Sequence, residues 1–182
     1  MAERAELSGA VREVLFDALA PGESLYALLD GARNHEIALR LKAGGVHHDC
    51  LYQGAAAKEL WFVAPYLARC ERGSPFVSWL ARSGWGQSWG TFVATGVDLA
   101  ALGEHFRKFL LVKIDGNEAD FYFRFYDPRV LRVFLPTCTP QEAAEFFGPV
   151  RLFIAEDSQA SSAITFTLTS GRVASGRLSL AP

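Results

Sequence analysis

Three stretches of this chain carry residue types that could do chemistry. Gly86-Gln87-Ser88-Trp89-Gly90 fits G-x-S-x-G, the sharp turn that lifts a nucleophilic serine above the sheet of an α/β-hydrolase. That chemistry needs a strand before the serine, a helix after it, and an acid and a histidine further on. Here a helical pattern precedes Ser88 and the β-rich Thr91-Phe92-Val93 follows it, so the order is inverted. His105 is the one histidine downstream, and it falls inside a predicted helix. The stretch reads as a tight turn whose small residues let Trp85 and Trp89 pack closely, with Ser88 structural.

His47-His48-Asp49-Cys50 offers metal-ligand types. Adjacent side chains of an extended segment point to opposite faces and seldom share one ion. The stretch reads as a loop entering a strand, and no metal is expected. Asp127 and Arg129 could serve as charged site residues. The local pattern instead makes Asp127 a helix cap, with Arg129 or Arg124 closing an ion pair that locks the turn. His35 and His105 have no motif around them and are expected on the surface or on helix faces. No P-loop and no G-x-G-x-x-G is present. The reading is therefore of a chain with no catalytic set, no metal and no cofactor.

The elements that position these residues follow from periodicity and punctuation. Leu7, Val11, Val14, Leu15 and Ala18 keep helical spacing, predicting an amphipathic helix over 5–19. Leu25-Tyr26-Ala27-Leu28-Leu29 predicts a strand buried on both faces. A helix over 34–42 and strands at 49–52 and 60–64 follow, the last broken by Pro65 and continuing beyond a bend at 67–70. Ser74-Pro75 opens a helix that ends at Ser83-Gly84, and 89–95 is a strand. Asp98 caps a helix with Leu99, Leu102, Phe106 and Phe109 inward. Segments 110–114 and 119–126 flank Asp115-Gly116-Asn117 as a hairpin. Asp127-Pro128 caps a short helix, and Thr139-Pro140-Gln141-Glu142 is a capping box whose helix stops at Gly148-Pro149. A strand over 150–155, an exposed polar loop over 156–162 and a terminal hairpin over 163–180 complete the chain. This mixture predicts an α+β fold, a single domain whose mixed, largely antiparallel sheet is flanked by helices.

Bulk properties narrow the function classes. The 182 residues suit one domain, and half of them are apolar, enough to bury a core. Net charge is −2 with no basic run, which argues against a nucleic-acid partner. The charged start Met1-Ala2-Glu3-Arg4-Ala5-Glu6 lacks a secretory signal, and no apolar stretch approaches the ~18 residues of a membrane span. Cys50, Cys70 and Cys138 are an odd count without CxxC, as expected for free thiols in a reducing cytosol. Four Trp and fourteen Phe serve mostly as core, and some as interface anchors.

Four blocks, taken together, carry a resemblance. They are Leu25-Tyr26-Ala27-Leu28-Leu29-Asp30-Gly31-Ala32; Ala64-Pro65-Tyr66-Leu67; Ser74-Pro75-Phe76 through Gly84-Trp85-Gly86-Gln87-Ser88-Trp89-Gly90; and Phe123-Arg124-Phe125-Tyr126-Asp127-Pro128-Arg129-Val130-Leu131 with Leu135-Pro136. In this order and spacing, over about residues 24–149, the chain resembles the bacterial type VI secretion adaptor family, first catalogued as a domain of unknown function. The resemblance implies a non-enzymatic, cytoplasmic chaperone. It would bind a secreted effector, often through the effector's N-terminal region, and help load it onto the VgrG spike, with no nucleic-acid or membrane partner. It makes Trp85, Trp89, Arg124, Tyr126, Asp127 and Arg129 signature positions, for contact with the effector or for the fold. The implied organisation is an N-terminal helix over 1–23, an adaptor core over 24–149 and a C-terminal strand and hairpin extension over 150–182. The competing classes are a serine hydrolase at Ser88 and a generic protein-binding module.

Overall fold

A computed structural model describes residues 2–113 and 120–180. Helix α1 (Ala2–Asp17) leads into β1 (Ser24–Asp30), α2 (Glu36–Ala43), β2 (His48–Cys50) and α3 (Gly54–Glu59). A 3-10 turn (Trp61–Val63) precedes β3 (Pro65–Cys70). Helix α4 (Pro75–Trp79) runs on as a π turn (Leu80–Gly84) into β4 (Gly90–Thr95) and α5 (Leu99–Arg107). The short strands β5 (Leu111–Lys113) and β6 (Asp120–Tyr122) come next. They are followed by α6 (Pro128–Phe134) with a 3-10 turn (Leu135–Thr137), α7 (Pro140–Phe147), and β7 (Val150–Glu156), β8 (Ser162–Thr169) and β9 (Arg172–Ser179).

Seven strands form one sheet in the order β2-β3-β1-β4-β7-β8-β9, with every neighbouring pair antiparallel. Strands β5 and β6 pair separately. The alternation of β1 divides the core. Leu25, Ala27 and Leu29 face α1, α2 and α4, meeting Leu15, Ile37 and Trp79. Tyr26 and Leu28 face α5, α6 and α7, meeting Phe106, Leu131 and Phe146. A strand apolar on both faces requires cover on both faces, and the helices supply it. The second face is largely phenylalanine: Phe106 stacks on Phe125 at 5.4 Å and Phe146 on Phe153 at 5.4 Å. The α+β fold expected from sequence is therefore the fold observed, with helices on each side of an antiparallel sheet.

Helix starts match their local signals. Ser74 accepts from the Phe76 N–H, Asp98 from Ala101 and Asp127 from Arg129, and Thr139 with Glu142 closes a complete capping box.

Four expectations are corrected. The apolar run 60–64 is not a strand: Trp61–Val63 coils into a 3-10 turn, and Pro65 begins β3 instead of breaking it. At the first position of a strand the missing N–H of proline removes little from the ladder. The arm expected over 119–126 stops at Tyr122, because the chain turns there to bring Phe125 and Tyr126 into the core. The turn Asp115-Gly116-Asn117 lies outside the described residues. His105 is buried, its Nε2 2.8 Å from the Phe146 carbonyl. The 156–162 loop is not simply exposed: Glu156, Asp157 and Ser162 are buried because their polar groups are met by protein partners.

Candidate functional site

Strands β1 and β7 flank β4 and run antiparallel to it, so both end where β4 begins. Two carboxylates mark that end of the sheet. Asp30 is the last residue of β1 and Glu156 the last of β7. The loop Trp85–Trp89 leads into β4 at Gly90 between them. Backbone approach is close here. A Cβ on Gly90 would lie 2.0 Å from the Leu28 carbonyl oxygen, so only glycine fits.

Glu156 holds the loop. Its carboxylate accepts from the Gly86 N–H at 2.5 Å, the Ser88 N–H at 2.8 Å and the Ser88 hydroxyl at 3.3 Å. Burial pushes its pKa above the ordinary value, and these hydrogen bonds pull the other way without overcoming it. Gly86 at φ 83° and Ser88 at φ 55° both take left-handed backbone, which turns successive N–H groups toward the one acid. Trp85 is buried, with its Nε1–H donated to the Ala160 carbonyl at 3.1 Å. Trp89 is half-buried and packs on Trp79 at 4.9 Å between ring centres.

Asp30 holds the other side. Its Oδ1 accepts from the Ala32 N–H at 3.0 Å and its Oδ2 from the Arg124 guanidinium. The hydrogen bond to Asp30 raises the Arg124 pKa and keeps that side chain charged. Its neighbour Tyr126 is buried, and burial drives the phenol pKa well up. Asp127 accepts from the Arg129 N–H at 2.9 Å and, through both oxygens, from the Arg129 guanidinium at 3.0 Å (Nε to Oδ1) and 2.6 Å (Nη2 to Oδ2). Burial opposes the Asp127 charge, but the bonds from Arg129 outweigh it and hold the carboxyl below its usual range. Arg132, one turn on, donates to the Glu156 carbonyl. Tyr52 adds an aromatic wall, 5.4 Å from the exposed Tyr122 ring.

The six signature residues thus fall on two faces of the sheet. Trp85 and Trp89 pack on the α1–α2–α4 side, while Tyr126 belongs to the α5–α6–α7 side beside Arg124, Asp127 and Arg129. They meet at the sheet end. The Asp30 N–H donates to the Trp89 carbonyl at 2.8 Å, and Arg132 ties α6 to the end of β7. Asp30, Glu156, Arg132 and Tyr52 were not singled out by sequence reasoning. An acid ending an apolar strand before glycine was the available signal for Asp30. Glu156 had only a polar, serine-rich context, and its partners lie on a distant loop.

Chemically the site is an arrangement of paired charges. The Ser88 hydroxyl bonds Glu156, while His105 is buried between α5 and α7 against the Phe146 carbonyl, with its pKa lowered by burial. His48 Nδ1 lies 2.7 Å from the Val46 carbonyl, and Asp49 pairs with Arg107 at 2.5 Å. No group of three or more His, Cys, Asp or Glu able to hold a metal occurs among the described residues. The three cysteines are free; burial raises all their thiol pKa values, that of Cys70 to about 12. Among the described residues no helix is long and apolar enough to cross a membrane.

Comparison with curated proteins and with solved structures finds no match. The family model described as "Domain of unknown function (DUF4123)" matches residues 25–145, from β1 into α7. That match spans more than half of the chain and contains all six signature positions: the chain belongs to the DUF4123 family.

Proposed function

We propose that the chain is a cytoplasmic, non-enzymatic adaptor of type VI secretion that binds a toxic effector and helps load it onto the VgrG spike. The observation that carries this reading is the family match over residues 25–145, the same stretch in which the four sequence blocks resemble the secretion adaptors. The geometry is compatible with a binding role. The signature residues are engaged in caps, ion pairs and ring packing that brace one end of the sheet, while Arg124 and Arg129 keep about half of each side chain in water at 42% and 51% exposure. Exposed arginines and aromatics on a rigid support are the residue types that dominate protein interfaces.

The test is co-expression with the product of the adjacent downstream gene, followed by size-exclusion chromatography. The expected result is co-elution, with loss of effector solubility or secretion when the adaptor gene is deleted. Normal secretion of every effector in the deletion strain, with no complex detected, would overturn the reading. The serine-hydrolase alternative is tested separately with a fluorophosphonate probe. Ser88 is expected to stay unlabelled, and stoichiometric labelling abolished by Ser88→Ala would replace the adaptor reading with an enzymatic one.

A further inference from the structure

Helix α6 presents an unusual outer surface. Its sequence from Pro128 to Phe134 contains two arginines and no acid. Leu131 is fully buried against the sheet, yet Val133 is 70% exposed. Asp127, Arg129, Val130, Val133 and Phe134 line a shallow groove of about 540 Å³. Phe134 packs on Phe123 at 4.7 Å, which joins the groove to the β5–β6 ribbon with its exposed Leu111, Phe121 and Tyr122. A single exposed valine is ordinary, but one set in a groove with Val130 and Phe134 marks a candidate interaction surface.

The charges around the groove are sorted by depth. The carboxylates of Asp30, Asp127 and Glu156 are buried, whereas the Arg124 and Arg129 guanidinium groups that cover the first two reach solvent. Each arginine has five donors, and the bonds to the buried acids leave outward N–H groups available. The rim met by an approaching molecule is therefore cationic, on a chain whose net charge is −2.

We propose that the α6 groove docks an acidic amphipathic segment of a partner protein, with apolar side chains over Val130 and Val133 and a carboxylate on the outer edge of Arg129. The identification of that partner as a secretion effector rests on the adaptor reading, whereas the docking chemistry does not. Charge selects the occupant. A symmetric contact between two copies through this face would set one Arg129 rim against the other, a like-charge cost. Nucleic acid would leave the valine floor without a partner and would find only a few arginines where a phosphate backbone calls for an extended basic stripe. An acidic amphipathic segment satisfies the groove and the rim together.

The test selects phage-displayed random peptides of about 16 residues, long enough for the i, i+3, i+4, i+7 anchors of a helix in a groove, against the full chain. Selected peptides are then synthesised and measured by fluorescence anisotropy. Enrichment of net-acidic sequences with apolar residues at helical spacing is expected. Their affinity should fall roughly tenfold in Val133→Glu and in Arg129→Ala, as loss of an anchor worth about 1.4 kcal/mol implies. Val133→Glu alters an exposed position and is expected to leave the thermal midpoint unchanged, so it carries the test if Arg129→Ala loosens the helix cap. No enrichment, enrichment of basic sequences, or equal binding to Val133→Glu would overturn the proposal. So would a concentration-dependent dimer abolished by Val133→Glu, or displacement of the peptide by a DNA duplex at lower concentration than by the peptide itself. The selection does not use the neighbouring gene product. Its failure leaves the adaptor reading intact, and failure of co-elution leaves the groove result intact.

Discussion

Asp30 and Arg124 form an unequal pair. The carboxylate is 1% exposed and the guanidinium 42%. Removing the arginine strands a charge away from water, whereas removing the acid returns an arginine toward solvent. Arg124→Ala should cost roughly 2–3 kcal/mol, below the full cost of a buried pair because water already reaches the guanidinium. Asp30→Asn keeps an oxygen for the Ala32 N–H and should cost about 1 kcal/mol. Urea unfolding of the two variants checks the order, and equal midpoints would mean that Asp30 is satisfied without Arg124. The two loop tryptophans should also differ. Trp85 is buried and its indole N–H is bonded, so Trp85→Ala should cost about 3–5 kcal/mol. Trp89 keeps part of its ring in water over Trp79, so Trp89→Ala should cost less. A larger loss at Trp89 would show that the Trp79 contact, rather than burial, anchors the loop. All four residues lie in the recognised blocks, yet sequence named only Trp85, Trp89 and Arg124. Asp30 reads as a turn residue because its partner lies on a segment far along the chain.

Elements are legible in the sequence where their signals are local. Ser74-Pro75, Asp98, Asp127-Pro128 and the Thr139–Glu142 box each place a capping oxygen within a few residues of the N–H it accepts, and each cap is present. The 60–64 run and the 123–126 arm depart from expectation because apolar alternation alone cannot separate a strand from a segment folded into the core by tertiary contacts. The 156–162 loop departs for the same reason in reverse: its acids are buried by partners that sequence does not place beside them. Those acids give the loop two opposite pH dependences. The folded pKa of Glu156 lies above its ordinary 4.5, so its contribution is fully present below that value and is lost as pH rises through the folded pKa. For Asp157, burial alone would raise the pKa, but hydrogen bonds from Ser162 and Ser161 outweigh it and bring it from 3.8 to about 2. Its contribution is present above 3.8 and is lost as pH falls toward 2. Urea midpoints measured from acid to neutral pH should therefore show wild type losing stability relative to Glu156→Gln as pH rises above about 4.5, since glutamine does not titrate. Asp157→Asn should blunt the acid-side loss instead. Parallel pH profiles for wild type and Glu156→Gln would show that Glu156 has the same pKa in the folded and unfolded states and that burial does not raise it.

Across the whole molecule, the layers of helices around a largely antiparallel sheet can be read from the both-faces-apolar strand β1 and the amphipathic helices. The strand order cannot, because pairing of β7 with β4 is a long-range choice that leaves no local trace. That pairing bears on where a folding unit can end. The family match stops at residue 145, and the recognised blocks end before β7. Yet β7 sits between β4 and β8, inside the sheet and not at its rim. It contributes Phe153, fully buried against Phe106, Phe146 and Phe147, and ends in the carboxylate that holds the Trp85–Trp89 loop. Cutting the chain after Pro149 would bare the β4 edge, strip the phenylalanine cluster of a central ring and release Gly86 and Ser88. An unpaired apolar edge of that kind templates aggregation. The intact protein allows a direct check, by limited proteolysis of the 157–161 loop followed by gel filtration. The expected outcome is that the nicked halves stay associated and folded under native conditions, because β7 remains paired with β4 on one side and β8 on the other. Expression of residues 1–149 alone should then give aggregated or molten protein without a cooperative urea transition. A monomeric 1–149 fragment with a sharp transition would show that the family-matched region folds by itself and that β7–β9 are an addition to a finished sheet.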